Sequence, residues 1–220
     1  MTRIIVDGVC KEFKIGFRKN EPALARFLSL FSEREPKRTL RVLHEVSFKV
    51  EAGEILGIIG VNGCGKSTLL RIVAGIYTKD KGSVYVNGNI ISLINLYIGL
   101  KGKLTMADNI YLLGSFFGMS RKALKERFDI IVEFSELKDF INTKVYQFSS
   151  GMMQRLVFSI AVHCNPDVLL LDEIFEVGDE HFKLKSGNRL KEFAENGVSI
   201  ILVSHDLPML ERHCNRVIWL

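Results

Sequence analysis

One nonapeptide constrains this chain more than anything else in its 220 residues: Gly60-Val61-Asn62-Gly63-Cys64-Gly65-Lys66-Ser67-Thr68. It fits the pattern G-x-x-x-x-G-K-[ST], follows the apolar run 54–59 and precedes 67–74, where apolar residues recur at helical spacing. A glycine-rich turn between an all-apolar strand and a helix commits the chain to an α/β layer architecture, because such a strand must be covered on both faces. The turn also carries chemistry. Glycines accept positive φ and let backbone approach a ligand closely. Backbone N–H groups and a helix N-terminus together attract phosphate oxygens. In this pattern Lys66 reaches the β- and γ-phosphates, and Ser67 offers its hydroxyl to Mg²⁺.

The remaining pattern agrees. Strands are expected at 3–8, 43–50, 54–59, 167–171, 198–203 and from 217, with turn and strand signals over 82–94. Helical spacing is expected over 67–74, over 105–137 with breaks near Gly114 and at 118–120, over 151–163 and over 183–195. Strands alternating with helices predict a mostly parallel sheet. A composition of 47% hydrophobic and 25% charged residues excludes general disorder, and the length suits one domain over 1–220. No apolar run approaches the roughly 18–20 residues of a membrane helix, and the first residues lack the apolar stretch of a secretory signal. The chain is therefore read as cytoplasmic. Cys10, Cys64, Cys164 and Cys214 are scattered without C-x-x-C or zinc spacing and are read as reduced thiols.

Three further patterns bear chemistry. Val168-Leu-Leu-Leu-Asp172-Glu173 ends an apolar strand in two acids. Beside a phosphate loop, Asp172 is placed to share the Mg²⁺ of Ser67, and Glu173 to polarise an attacking water. Val203-Ser204-His205-Asp206 ends another strand. Parallel strands bring their C-terminal ends to one sheet edge, so His205 is expected beside Gly60 and Asp172. Phe148-Ser149-Ser150-Gly151-Met152 opens a helix, suited either to an anion or to simple capping. Cys64 puts a thiol inside the phosphate loop, where alkylation is expected to block nucleotide binding.

Residues 11–41 hold nine Lys and Arg against four Glu, which accounts for the whole net charge of +5. This basic stretch suits nucleic acid, anionic lipid or an acidic partner, or is a solvated loop. Within it Ala23, Leu24, Phe27, Leu28 and Phe31 share one helical face, with Asn20 as cap and Pro22 in the first turn. The segment 14–41 reads as an insertion carrying an amphipathic helix.

In this order and spacing the motifs resemble the nucleotide-binding domain of ATP-binding cassette (ABC) proteins, over nearly the whole chain. By that resemblance Gly60 to Thr68 is Walker A, and Val168 to Asp172 is Walker B. Glu173 is the catalytic glutamate and His205 the switch histidine. Phe148 to Met152 is the signature, and Glu176-Val-Gly-Asp179 lies at the D-loop. Phe13 matches the aromatic that stacks on adenine. A narrower resemblance, carried by the insertion, the Ser-Ser-Gly-Met signature, Glu-Val-Gly-Asp at the D-loop and 133–140, is to ATPase subunits of exporters for O-antigen, teichoic acid and related lipid-linked polysaccharides.

The resemblance implies a P-loop NTPase core with a mostly parallel sheet, an antiparallel β subdomain and an α-helical signature subdomain over about 95–160. It implies ATP and Mg²⁺, and a head-to-tail pair of copies with ATP between one P-loop and the other's Ser149 to Gly151. Lys66, Glu173 and His205 would be catalytic, with Asp179 at the nucleotide interface. A separate transmembrane permease, touched by residues around 93–105, would handle the polysaccharide, so the chain would sit peripherally at the cytoplasmic face, without nucleic acid. The basic insertion would lie on the membrane surface, on the permease or on its own domain.

Three departures stand out. No Gln occurs over 92–97, where Asn95 is the nearest polar candidate for Mg²⁺. The signature has Ser150 and Met152 in place of Gly and Gln. Family members continue past the position of Leu220, so a truncated C-terminus is expected, beyond which some members carry a carbohydrate-binding domain. The alternatives are an ABC ATPase of another exporter class, or a non-transport ATP-gated module.

Overall fold

The computed structural model describes residues 1–15, 38–94, 99–172 and 180–220. Its centre is a five-stranded sheet in the order β5 (Ile90–Leu93), β6 (Val168–Asp172), β7 (Ser199–Val203), β3 (Ile55–Ile59), β8 (Arg216–Trp219). Every pairing in it is parallel.

The strands show why their sequences are unbroken apolar runs. Successive side chains point to opposite faces, and here both faces are covered. Ile59, Leu169, Leu171, Ile200 and Leu202 enter one buried cluster, while Leu56, Ile58, Leu170, Ile201 and Val203 enter another. The first cluster is roofed by α2 (Met106–Phe116), α3 (Arg121–Ser135), α4 (Ser150–Ala161) and α5 (Glu180–Glu195). The second is roofed by α1 (Lys66–Val73) and by a three-stranded antiparallel sheet in the order β2 (Arg38–Glu51), β1 (Thr2–Ile15), β4 (Lys81–Val86). A short helix α6 (Leu207–His213) links β7 to β8. At about 1.5–3 kcal/mol for each large apolar side chain fully buried, these two layers dominate the favourable side of folding.

The expected architecture is present, with corrections of extent. β1 runs to Ile15 rather than ending at residue 8, and β2 starts at Arg38 rather than 43. Their outer halves mix charged and apolar residues without strict alternation on a half-solvated sheet, and register shifts between Val6 and Lys11 interrupt the period. Gly114 does not break its helix. A β-carbon there would stand 2.2 Å from Leu124 Cδ2, so the missing side chain lets α3 pack closely on α2. The real break is at 117–120, with Gly118 at φ 90°. The expected amphipathic helix of the insertion lies outside the described residues, and Ile15 pairs with Arg38 at its base.

Local chemistry sets the helix starts. Thr105 and Asp108 form a reciprocal capping box that opens α2, and the Thr105 hydroxyl and amide hold the Asp108 carboxyl below its ordinary range. Ser120 caps α3 by accepting from the Ala123 amide. No helix among the described residues is long and apolar enough to cross a membrane.

Candidate functional site

Three neighbouring strands deliver the site. Asp172 pairs with Val203, and Val203 pairs with Ile58, so one row crosses β6, β7 and β3 at their C-terminal ends. The residues that follow this row leave from the same edge. They are Ser204 and His205 after β7, and Gly60 two positions past Ile58 on β3. The Ser204 amide donates to Ile58 O at 3.4 Å, and the Asp206 amide donates to Ser204 Oγ at 2.9 Å. Asp206 in turn caps α6 by accepting from Met209 N at 3.1 Å. His205 is thus an exposed side chain between a buried serine and a helix cap, both fixed by hydrogen bonds. Asp172 is half-buried.

The phosphate loop runs from this edge into α1. Gly65 is its N-terminal cap residue and has a left-handed backbone, φ 112°. A β-carbon there would stand 2.8 Å from Leu43 Cδ2 and 2.9 Å from Val42 Cγ1, so glycine is required by conformation and by space. A β-carbon on Gly60 would stand 2.7 Å from Cys64 Sγ. Val61, Asn62 and Gly63 are exposed at the tip, with Gly63 at φ 82°. Lys66 is only 6% exposed, and its Nζ donates to Gly60 O at 2.8 Å and Val61 O at 3.1 Å. The ammonium therefore lies under the arch of the loop. Ser67 and Thr68 follow in the first turn, half-buried.

Phe13 reaches the same neighbourhood through β2. It pairs with Leu40, two residues from the Val42 that crowds Gly65. Its ring meets Tyr77 edge-on with centroids 6.0 Å apart, and Lys11 Nζ lies 5.4 Å from the ring centre. Arg71 of α1 lies 5.6 Å from the Tyr77 ring. Tyr77 is the aromatic that the sequence reading missed; it sits in the turn after α1, outside any motif.

The signature stretch is not part of this edge within one chain. It opens α4, which packs into the cluster on the sheet face opposite α1. Ser149 is the helix cap, its Oγ accepting from Met152 N at 3.2 Å. Ser150 is exposed, and Gly151 and Met152 are half-exposed in the first turn. The far end of α4 is tied by two arginines: Arg127 donates to His163 O, and Arg189 donates to Val162 O at 3.1 Å. Cations at a helix C-terminus complement its dipole, and here they hold α4 to α3 and α5. His163 itself is buried, and burial pushes its pKa down.

Glu173, Asp179 and Asn95 lie outside the described residues, with the whole of 173–179 and 95–98. All four cysteines are free, and burial pushes Cys164 and Cys214 up to about 12.

Comparison with known proteins agrees with the geometry. The ABC transporter family pattern matches residues 43–176. The chain is 38% identical over 225 residues to "O-antigen export system ATP-binding protein RfbB" of Myxococcus xanthus, covering 100% of this chain and 52% of that protein. It is 38% identical over 219 residues to "Teichoic acids export ATP-binding protein TagH" of Listeria innocua, covering 99% and 64%. With RfbB of Klebsiella pneumoniae it shares 40% over 193 residues, covering 84% and 78%. The chain thus spans 52% to 64% of the length of the first two of these relatives. Among solved structures, an ATP-binding cassette captured as a post-hydrolysis dimer with ADP and Pi superposes with TM-score 0.80 at 24% identity, covering 99% of this chain and 94% of that one.

Proposed function

Because this chain belongs to the ABC transporter family, we propose that it is the ATP-binding and ATP-hydrolysing subunit of an exporter. Its cargo would be a lipid-linked polysaccharide of the O-antigen or teichoic-acid type, moved by a separate transmembrane subunit. The observation that carries the ATPase reading is the row Asp172–Val203–Ile58, which aligns the strand-end acid, the histidine strand and the phosphate loop at one edge. The cargo class is supported by the relatives, which are ATP-binding proteins of O-antigen and teichoic-acid export.

The residues fit the ligands. The loop closed by Gly65 presents backbone amides at the start of α1, and Lys66 adds a buried positive charge to the same cradle. Ser67 and Asp172 are oxygen donors of the kind Mg²⁺ takes, and the ion supplies charge neutralisation for the β- and γ-phosphate oxygens. Phe13, paired with Tyr77, offers a ring edge and face to the adenine. Glu173, one residue beyond Asp172, orients the attacking water, and His205 donates toward the γ-phosphate from the adjacent strand end. Catalysis on this scheme is mainly positioning and charge stabilisation.

The signature on the opposite face calls for a second copy. Two chains pair head to tail, so that Ser149 to Gly151 of each covers the nucleotide of the other, with Met152 and Asp179 at the border. Such an isologous pair has two equivalent sites.

The permease contact is assigned to an apolar groove of about 830 Å³ between α2 and the end of α1, with Ile76, Tyr77, Leu112 and Phe116 on its walls. Phe116 is 81% exposed there. The subunit would be peripheral, at the cytoplasmic face of the membrane. The test is size-exclusion chromatography of a Glu173→Gln chain with ATP and Mg²⁺. A dimer that reverts to monomer without nucleotide is expected; a monomer under both conditions contradicts the pairing.

A further inference from the structure

Away from the phosphate-facing edge, three helices meet at one carboxylate. Glu136 ends α3 with a left-handed backbone, φ 60°. Its Oε2 accepts from Arg155 Nη1 of α4 at 3.2 Å. Its Oε1 accepts from Lys185 Nζ of α5 at 3.0 Å, and His181 Nδ1 lies 3.2 Å from the same oxygen.

The junction is built below as well as above. Phe182 of α5 meets Phe134 of α3 and Phe158 of α4 edge-on, with centroids 6.0 and 6.2 Å away. Arg155 lies 5.0 Å from the Phe182 ring centre, and Lys185 lies 4.8 Å from the Phe134 ring centre. Each cation is therefore held by a ring and by the carboxylate. Isolated exposed ion pairs contribute little. Here the side chains are 29% exposed for Glu136, 17% for Arg155 and 29% for Lys185, and ring contacts add to the pairing. A left-handed non-glycine residue costs free energy, so the carboxylate is held in place against backbone preference.

The helices joined are informative. Arg155 lies about one turn into α4, which begins at the signature residues Ser149 to Gly151. His181 and Lys185 lie in the first turns of α5, which begins immediately after 173–179, the segment of Glu173 and Asp179.

We propose that the Glu136 junction makes the N-terminal turns of α4 and α5 move as one body and thereby couples the two nucleotide sites of the pair. This rests on the head-to-tail pairing proposed above. In that arrangement α4 of one protomer faces the partner's nucleotide, while 173–179 of the same protomer acts on its own. The junction is then the contact inside one chain that reports on one site to the other. Glu136, Arg155 and Lys185 are positioning residues and touch no nucleotide.

The test measures ATP hydrolysis against ATP concentration for the unaltered chain, Glu136→Gln, Lys185→Met and the double variant, with melting midpoints recorded beside them. The unaltered chain is expected to be cooperative, with a Hill coefficient between 1 and about 2, the limit for two sites. Glu136→Gln is expected to bring the coefficient to about 1 and lower kcat about tenfold, with nucleotide affinity without Mg²⁺ changed less than about twofold. Lys185→Met should act in the same direction, and the double variant should be no worse than Glu136→Gln alone, since both remove one contact. Lys185→Met also serves if Glu136→Gln melts early. Wild-type cooperativity and kcat in the folded variants overturn the coupling. If the unaltered chain has a coefficient of 1 and a rate strictly proportional to protein concentration, the pairing itself fails and the coupling with it.

Discussion

Asp172 stands opposite Val203 in the ladder between β6 and β7. A one-residue slip would send the carboxylate to the other face of the sheet, so the apolar register that builds the core also aims the acid. If Asp172 serves Mg²⁺, Asp172→Asn should lower nucleotide affinity roughly tenfold in the presence of Mg²⁺ and leave affinity in excess chelator nearly unchanged. A fluorescent ATP analogue titrated under both conditions measures this. Equal losses in both would assign Asp172 a structural role.

Gly65 tests the cradle. Alanine there keeps the charge and length of the loop but adds a β-carbon at φ 112°, 2.8 Å from Leu43 Cδ2. The strain and the collision together should destabilise the fold by about 1–3 kcal/mol and weaken nucleotide binding at least tenfold. Alanine at Gly63, whose β-carbon would meet nothing within 4 Å, should bear only the conformational cost. Denaturant melts and nucleotide titrations of both variants give the comparison; equal effects at the two positions would contradict it.

Cys64 offers a chemical test. Its Sγ packs toward Gly60, and the residue is half-buried within the loop. Alkylation by a maleimide adds bulk between the two ends of the loop and should abolish nucleotide binding, with prior ATP giving protection. Cys64→Ala should bind nucleotide and be insensitive to the reagent. Retained sensitivity would place the reactive thiol elsewhere, at Cys10 or Cys214, which are both partly exposed, rather than at the buried Cys164.

The pH dependence of stability follows from His163 and His213. Burial is the main cause lowering both, with Arg189 and Arg127 adding to it for His163, and Lys191 and Arg212 for His213. His163 Nδ1 donates to Ser159 O at 2.6 Å, which opposes the shift only in part. In the unfolded chain these rings take up protons near pH 6.5, before the folded chain does. Their contribution is therefore complete above about pH 6.5 and is lost as pH falls below it, at most about 1.4 kcal/mol per pH unit for each ring. Melting midpoints should decline from pH 7 toward 5. His163→Gln, which keeps a donor for Ser159, should flatten that decline. An unchanged slope would show that His163 is not responsible.

What was legible in the sequence follows from what periodicity and motifs encode. β3, β6 and β7 announced themselves because both faces are buried and their runs are apolar apart from Ser199 at the start of β7 and Asp172 at the end of β6. Gly60 to Thr68 was legible because few other roles demand that spacing of glycines before Lys66 and Ser67. The outer halves of β1 and β2 were not, since bulges and a half-solvated face erase alternation. Gly114 misled because propensity marks it as a breaker, whereas Leu124, ten residues on, needs the space. The contact of Phe13 with Tyr77 and the meeting of Glu136, Arg155 and Lys185 depend on tertiary packing between residues far apart in the chain, and no local pattern carries that information.

The most direct test of the central claim is the rate of Mg²⁺-dependent ATP hydrolysis by the purified chain across protein concentrations, beside Glu173→Gln. A general base typically contributes about 10²–10⁴-fold to a rate, so the variant should be reduced by at least 10²-fold while still binding ATP. The rate of the unaltered chain should rise more steeply than linearly with concentration, as a site shared between two copies requires. A rate linear in concentration, or one that Glu173→Gln leaves intact, would contradict the account.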